Sequence, residues 1–189
     1  GGPQKWLWGI ASGRVKVLVA MIEMDPVLGH VHHAGAWFGE SELIHGIDGL
    51  VEMKALGKTR LAKVPYAQFR TLAYNCPVLW EAFARLTSMN QLLAMSAAND
   101  LALRTSRQRL AATLLRLCGK RGVFQGSHSS NVVNASQQDI ATLANVSVSK
   151  ASVHLGDLAK ERFIELAYGR VNVLDENGVL AVIGNHAKI

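Results

Sequence analysis

The sequence predicts an α+β protein built from a jelly-roll-like, double-stranded β-barrel lacking its first strands, then a long helix, then a winged helix-turn-helix. Three observations carry that prediction. Short runs of β-branched and aromatic residues, punctuated by glycine, fill the first third of the chain. The stretch from Val78 to Leu117 holds no proline and no glycine. Two short amphipathic helical patterns and two strand patterns then follow one another near the end.

In the first region, Trp6 to Ile10 and Val15 to Ile22 read as strands, with Ser12-Gly13 as the turn between them. Val27 to Val31 is a further short strand, and Gly35, Gly39, Gly46, Gly49 and Gly57 punctuate the rest. Gly1-Gly2-Pro3 leads straight into strand-like sequence, so the barrel is expected to start without its earliest strands. Tyr66 to Tyr74 reads as a short helix, and Pro77 marks the start of the next. Without a breaker from Val78 to Leu117, one unbroken helix on the order of 60 Å long is expected. Leu86, Leu93, Ala97 and Leu101 form a near-heptad stripe along it. A stripe on a helix too long for its own barrel to cover packs most simply against a second copy, which predicts a dimer. Burial along the helix's own domain is the alternative. Leu110, Leu114 and Leu117 give the end of this stretch an apolar period that suits packing into the last domain. Gly119 to Ser130 is a polar connector. The expected domains are therefore 1–75, a long helix over 76–118, and 119–189.

Composition sets outer limits. The chain has 189 residues, a formal net charge of +6 and 49% hydrophobic residues, which suits a globular protein with a polyanionic partner such as DNA. Its two cysteines, Cys76 and Cys118, lack metal-ligand spacing, which argues against a disulfide framework or a cysteine-rich zinc site. Both read as buried small hydrophobes. No apolar run approaches the roughly 18 residues of a membrane span, and no signal peptide is visible, so a cytoplasmic location without membrane contact is expected.

The last domain carries the most specific pattern. Ser136 sits where a helix N-cap belongs, with Asp139 three residues on. Ile140, Ala141, Leu143 and Ala144 form that helix's apolar side. Asn145 falls where a tight inter-helix turn needs a positive φ. Ser147 caps the next helix, in which Ala151, Leu155 and Leu158 recur as a buried face. The opposite face shows Ser149, Lys150, Ser152, Val153 and His154, with no acid before Asp157. Two helices so joined form a helix-turn-helix, whose second helix enters a DNA major groove. Phe163 to Leu166 and Val171 to Leu174 read as strands around a Tyr168-Gly169-Arg170 turn, the wing. Ser136, Gln137, Ser147, Val148, Ser149, Lys150, Ser152, Val153 and His154 are the candidate contacts to duplex DNA, and Lys160 and Arg170 suit its phosphates.

Taken in order, these segments resemble the Crp/Fnr superfamily of bacterial transcription regulators. Ile10-Ala11-Ser12-Gly13-Arg14-Val15-Lys16-Val17 resembles the family's barrel strand pair, and Gly35-Ala36-Trp37-Phe38-Gly39-Glu40 the start of its phosphate-binding cassette. Arg109 to Leu115 is similar to the end of the dimerisation helix, and Ser136 to Ala141 to the start of the helix-turn-helix. The resemblance covers essentially the whole chain. It implies a homodimeric, non-enzymatic regulator that binds a near-palindromic operator and contacts RNA polymerase. It also implies an effector at the barrel, with Phe38, Gly39, Glu40 and Leu43 as the candidate residues.

The departures from the family pattern are informative. Cyclic-nucleotide binders of the family place an arginine on the phosphate about ten residues beyond this cassette. Here that region reads Gly49-Leu50-Val51-Glu52, no arginine lies between Arg14 and Arg60, and Glu42 would repel a phosphate. Cyclic AMP is therefore not expected as the effector. The recognition helix lacks the family's arginine, glutamate and arginine, which align on Val148, Ser149 and Val153. Valines there suit thymine methyls, so an unusual operator is expected. His30 and His32 share a strand face, which keeps haem or a metal open as a sensing cofactor, though an exposed strand end is the simpler reading of them. A cupin-like enzyme with His30, His32 and Glu40 on one metal is a distant rival, because it leaves the long helix and the helix-turn-helix without a purpose.

Overall fold

The computed structural model describes residues 5–19, 25–46, 51–121 and 130–184. The chain divides into two compact units, Gly1–Leu93 and Ala94–Ile189. In the first, β1 (Trp6–Ser12) lies between β4 (Trp37–Phe38) and β6 (Arg60–Pro65), and β2 (Arg14–Val19) lies between β3 (Val27–His33) and β5 (Val51–Ala55). Every pairing is antiparallel. The β2–β3 ladder contains a bulge: Val17 faces His30 but Leu18 faces Leu28, so Gly29 has no partner. The extra residue resets the alternation of faces, which lets Leu28 and Val31 both be buried although they stand three apart.

Three helices complete this unit's elements: α1 (Glu40–His45), α2 (Tyr66–Asn75) and the start of α3 (Val78–Leu101). Gly39 begins α1 at φ 101°, and a Cβ there would stand 2.7 Å from the Trp6 carbonyl oxygen. Only glycine permits that turn against β1. The apolar interior falls into two clusters. Leu7, Leu43, Phe69, Ala73 and Phe83 form one, and Ile10, Val15 and Phe38 the other. Phe69 meets Trp80 edge-on at 5.3 Å and Phe83 at 5.1 Å between ring centroids.

The expected unbroken helix from Val78 to Leu117 is instead two helices, α3 and α4 (Ser106–Leu117). Thr105 causes the break. Its backbone is extended (φ −104°, ψ 149°), its hydroxyl accepts from the Gln108 amide, and the Gln108 side chain accepts from the Thr105 amide. This capping box starts a new helix without proline or glycine, and the Thr-x-x-Gln pattern was open to reading in the sequence.

In the second unit, α4 is followed by β7 (Val132–Val133), α5 (Gln137–Leu143), α6 (Val148–Lys160), β8 (Ile164–Ala167), β9 (Arg170–Val173) and α7 (Glu176–Ile183). The sheet order is β7-β9-β8. The residues from Leu110 to Leu117 are all buried, because α5, α6 and α7 all pack on α4. Helix α4 thus packs with the last domain, as its leucine period suggests. Asp100, near the end of α3, is buried with Arg116 at 2.9 Å and also pairs with Arg121. Helix α7, capped by Asp175 on the Gly178 amide, and strand β7 were not anticipated. Cys118 is buried as expected, and burial chiefly pushes its thiol up to about 11, with Glu176 adding and Lys120 opposing. Cys76, by contrast, is exposed, because it occupies the short link between α2 and α3.

Candidate nucleic-acid interface

The helix-turn-helix forms through local signals. Ser136 caps α5 by accepting from the Asp139 amide at 3.1 Å, and Ser147 caps α6 by accepting from the Lys150 amide at 3.3 Å. Between them Asn145 takes φ 50°, the left-handed conformation that asparagine tolerates. Ile140, Ala141, Leu143 and Ala144 are buried, as are Ala151, Leu155 and Leu158. The chain therefore presents one face of α6 outward. On it Val148 is 40% and Val153 60% exposed, and Ser149, Lys150 and Ser152 are exposed beside them. Two bare valines among short polar residues, with no acid, make a surface that suits the base edges of a duplex. Ser136, Gln137 and Ser147 are exposed at the helix starts.

Strands β8 and β9 form the wing, with Tyr168 fully exposed at its tip and Arg170 exposed where β9 starts. Lys160 is exposed at the end of α6, 3.6 Å from the Asp157 carboxylate. His154 departs from the other candidates on this helix: it is half-buried, with Nε2 2.8 Å from the Ser106 hydroxyl of α4. Arg162 is an exposed cation beside this surface that sequence reasoning missed. It follows α6 with φ 62°, and no periodicity marks such a residue.

Residues 108–181 match the model of the Crp-like helix-turn-helix domain. The fold of the chain matches TTHA1359, a CRP/FNR-family transcriptional regulator of Thermus thermophilus, at 22% identity and a TM-score of 0.70, over 98% of this chain and 91% of that one. This is a Crp/Fnr fold. FixK2 of Bradyrhizobium japonicum shares it at 15% identity and a TM-score of 0.77, over 97% and 89% of the two chains. So does TTHB099, a CRP-family transcriptional regulator also of Thermus thermophilus, at 20% identity and a TM-score of 0.72, over 99% and 92%. No curated protein matches the sequence at a significant level.

Within this Crp/Fnr fold, the candidate effector residues are engaged in the packing of the first unit. Phe38 and Leu43 belong to its two apolar clusters. Glu40 is only 5% exposed and accepts from Asn90 Nδ2 of α3 at 2.8 Å, while the same nitrogen donates to the Trp37 carbonyl. Asn90, distant in sequence, is a partner that periodicity does not reveal. Of the segment aligned with the family's phosphate-binding arginine, Gly49 and Leu50 lie outside the described residues, and Val51 and Glu52 open β5.

His30 and His32 do share a face, their rings edge-on at 5.2 Å, and His32 stacks parallel to Phe38 at 6.4 Å. Burial, helped by the charge of His33, lowers the His32 pKa to about 4, so its imidazole is neutral at ordinary pH. His33 is lowered too, by burial and then by Arg14. The described residues hold no group of three or more metal-ligating side chains, so the set of His30, His32 and Glu40 that a cupin-like metal centre needs is not assembled. Of the stripe proposed for a dimer, Leu86 packs against the Leu7 cluster, Leu93 and Ala97 are half-buried, and Leu101 is 46% exposed. Met89 and Met95 are further exposed apolar residues of α3. No helix among the described residues is long and apolar enough to cross a membrane.

Proposed function

We propose that this protein is a dimeric transcription regulator that binds a near-palindromic DNA operator in a sequence-specific way, under the control of a signal other than cyclic AMP at the β-barrel. The observation that carries this reading is the exposed face of α6: capped at Ser147, free of acid as far as Asp157, and bearing Val148, Ser149, Lys150, Ser152 and Val153. Helix α6 enters the major groove with its first turns against base edges, and Lys160 and Arg170 hold phosphates on either side. Valines in place of arginines favour thymine methyls over guanine. Leu93, Ala97 and Leu101 supply the contact between two copies, whose paired helices span half-sites about 34 Å apart. Contact with RNA polymerase follows from the same role, and a cytoplasmic location suits it.

Selection of random duplex DNA by the purified protein at two salt concentrations tests the proposal. The expected result is a two-fold symmetric site with A·T pairs facing Val148 and Val153, its affinity falling steeply with salt. Retention of DNA with no enriched sequence would overturn sequence-specific regulation by this helix.

A further inference from the structure

The first turn of α4 sends four consecutive side chains to different parts of the second unit. The Ser106 hydroxyl meets His154 in the middle of α6 at 2.8 Å. Arg107 Nη2 donates to both Glu161 carboxylate oxygens at 2.6 Å, just past the end of α6. Gln108 Nε2 donates to the Ile183 carbonyl at the end of α7, at 3.1 Å. Gln108 also accepts from the Thr105 amide, but among these four only Arg109 joins the link to the turn between α5 and α6. Its Nη1 donates to the Leu103 carbonyl at 3.1 Å, in the link between α3 and α4. Its Nε donates to the Ala144 carbonyl at 3.1 Å, and its Nη2 to the Asn145 carbonyl at 3.4 Å, both in the turn between α5 and α6.

The chemistry suits this use. Ala144 is the C-cap of α5, where carbonyls lack partners within the helix and the helix dipole favours a cation. Three divergent N–H groups held in one plane bridge three carbonyls, an arrangement that a lysine ammonium on a flexible stem does not reproduce. The Asn145 carbonyl belongs to the residue whose φ of 50° sets the direction in which α6 leaves the turn.

We propose that Arg109 is a positioning residue that locks the link at residues 102–105 to the turn at residues 144–147, so that the seating of the recognition helix depends on the state of that link. The inference rests on the reading of α6 as the DNA-recognition helix. All three N–H-bearing nitrogens of the Arg109 guanidinium are engaged on backbone carbonyls, which separates it from the exposed Lys160 and Arg170. A rearrangement of the link that withdraws the Leu103 carbonyl releases Nη1 and loosens the guanidinium's hold on the turn.

The test uses the whole chain with Arg109→Lys and Arg109→Ala. Hydrogen exchange is followed at residues 102–105, at residues 144–147 and inside α4 at Leu114 and Leu115. Binding to the selected duplex is measured across a salt series. In both variants, exchange is expected to accelerate together in the link and the turn while α4 keeps its protection. Affinity is expected to fall about tenfold with an unchanged salt slope. Acceleration in one segment only, or wild-type behaviour of Arg109→Lys, overturns the lock. A salt slope shallower by about one makes Arg109 a phosphate ligand and overturns it as well. Loss of protection inside α4 to the same extent makes Arg109 a general stabilising residue and also overturns it. If the wild-type chain selects no duplex, paired acceleration still supports the lock, and only the reading of α6 falls.

Discussion

The second unit wraps α5, α6 and α7 around a single helix whose residues from Leu110 to Leu117 are all buried, whereas the first divides its apolar residues between the Leu7 and Ile10 clusters. The contrast extends to how each holds charge and polarity. The second unit buries an ion-pair group, Asp100 with Arg116 and Arg121, while the first buries Glu40 on the Asn90 amide and partly buries a neutral imidazole, His32, against Phe38. Each unit should therefore fail in its own way.

The largest effect is expected at Asp100. Replacing it with alanine removes the carboxylate from two guanidiniums at a site where Arg116 is 2% exposed. Breaking a buried pair from one side costs about 3–5 kcal/mol. Denaturation of Asp100→Ala followed in the second unit should show that loss, and a wild-type midpoint would mean that the ion pair is dispensable. Asp100→Asn, which keeps the shape, should recover part of the loss.

The next effect concerns pH and belongs to the first unit. His32 titrates near 4 when folded and near its ordinary 6.5 when unfolded. The folded pKa is the lower of the two, so acid favours the unfolded chain. The contribution of His32 is fully present above pH 6.5 and is lost as pH falls toward 4, by up to about 3 kcal/mol at 1.36 kcal/mol per pKa unit. Melting of the first unit between pH 7 and 4 measures it. His32→Leu should flatten the profile, and an unchanged slope in that variant would assign the acid sensitivity elsewhere.

The smallest effect sharpens the picture of the second unit's core. The Thr113 hydroxyl is buried in α4 and has no hydrogen-bond partner among the described residues. Thr113→Val replaces it with a methyl group of similar size and should raise stability by about 1 kcal/mol. A lower melting temperature in that variant would reveal a partner for the hydroxyl in solution.

The same division explains what was legible in the sequence. In the second unit the decisive features are local: Ser136, Asn145 and Ser147 announce two caps and a turn, and each of these signals completes itself within three residues. In the first unit the decisive features join distant positions. The Glu40–Asn90 hydrogen bond links positions fifty apart in the chain, and the bulge at Gly29 is set by the pairing of β3 with β2. Neither is written in any one stretch of residues. The break between α3 and α4 is written in a threonine and a glutamine, a weaker mark in sequence than the proline or glycine that usually ends a helix. The exposed face of α6 followed directly from its period. The hydrogen bonds of Arg109 to the turn before that helix did not, because Ala144 and Asn145 stand 35 and 36 residues away and only the fold brings them to it.

The reciprocal hydrogen bonds between Thr105 and Gln108 also bear on how the protein is made. The starting point of α4 is written in residues 105–108, while Asp100 of α3 ties the far end of the same helix to the chain before it through Arg116. As the polypeptide leaves the ribosome, these four residues set where α4 begins, ahead of the contacts with α5, α6 and α7.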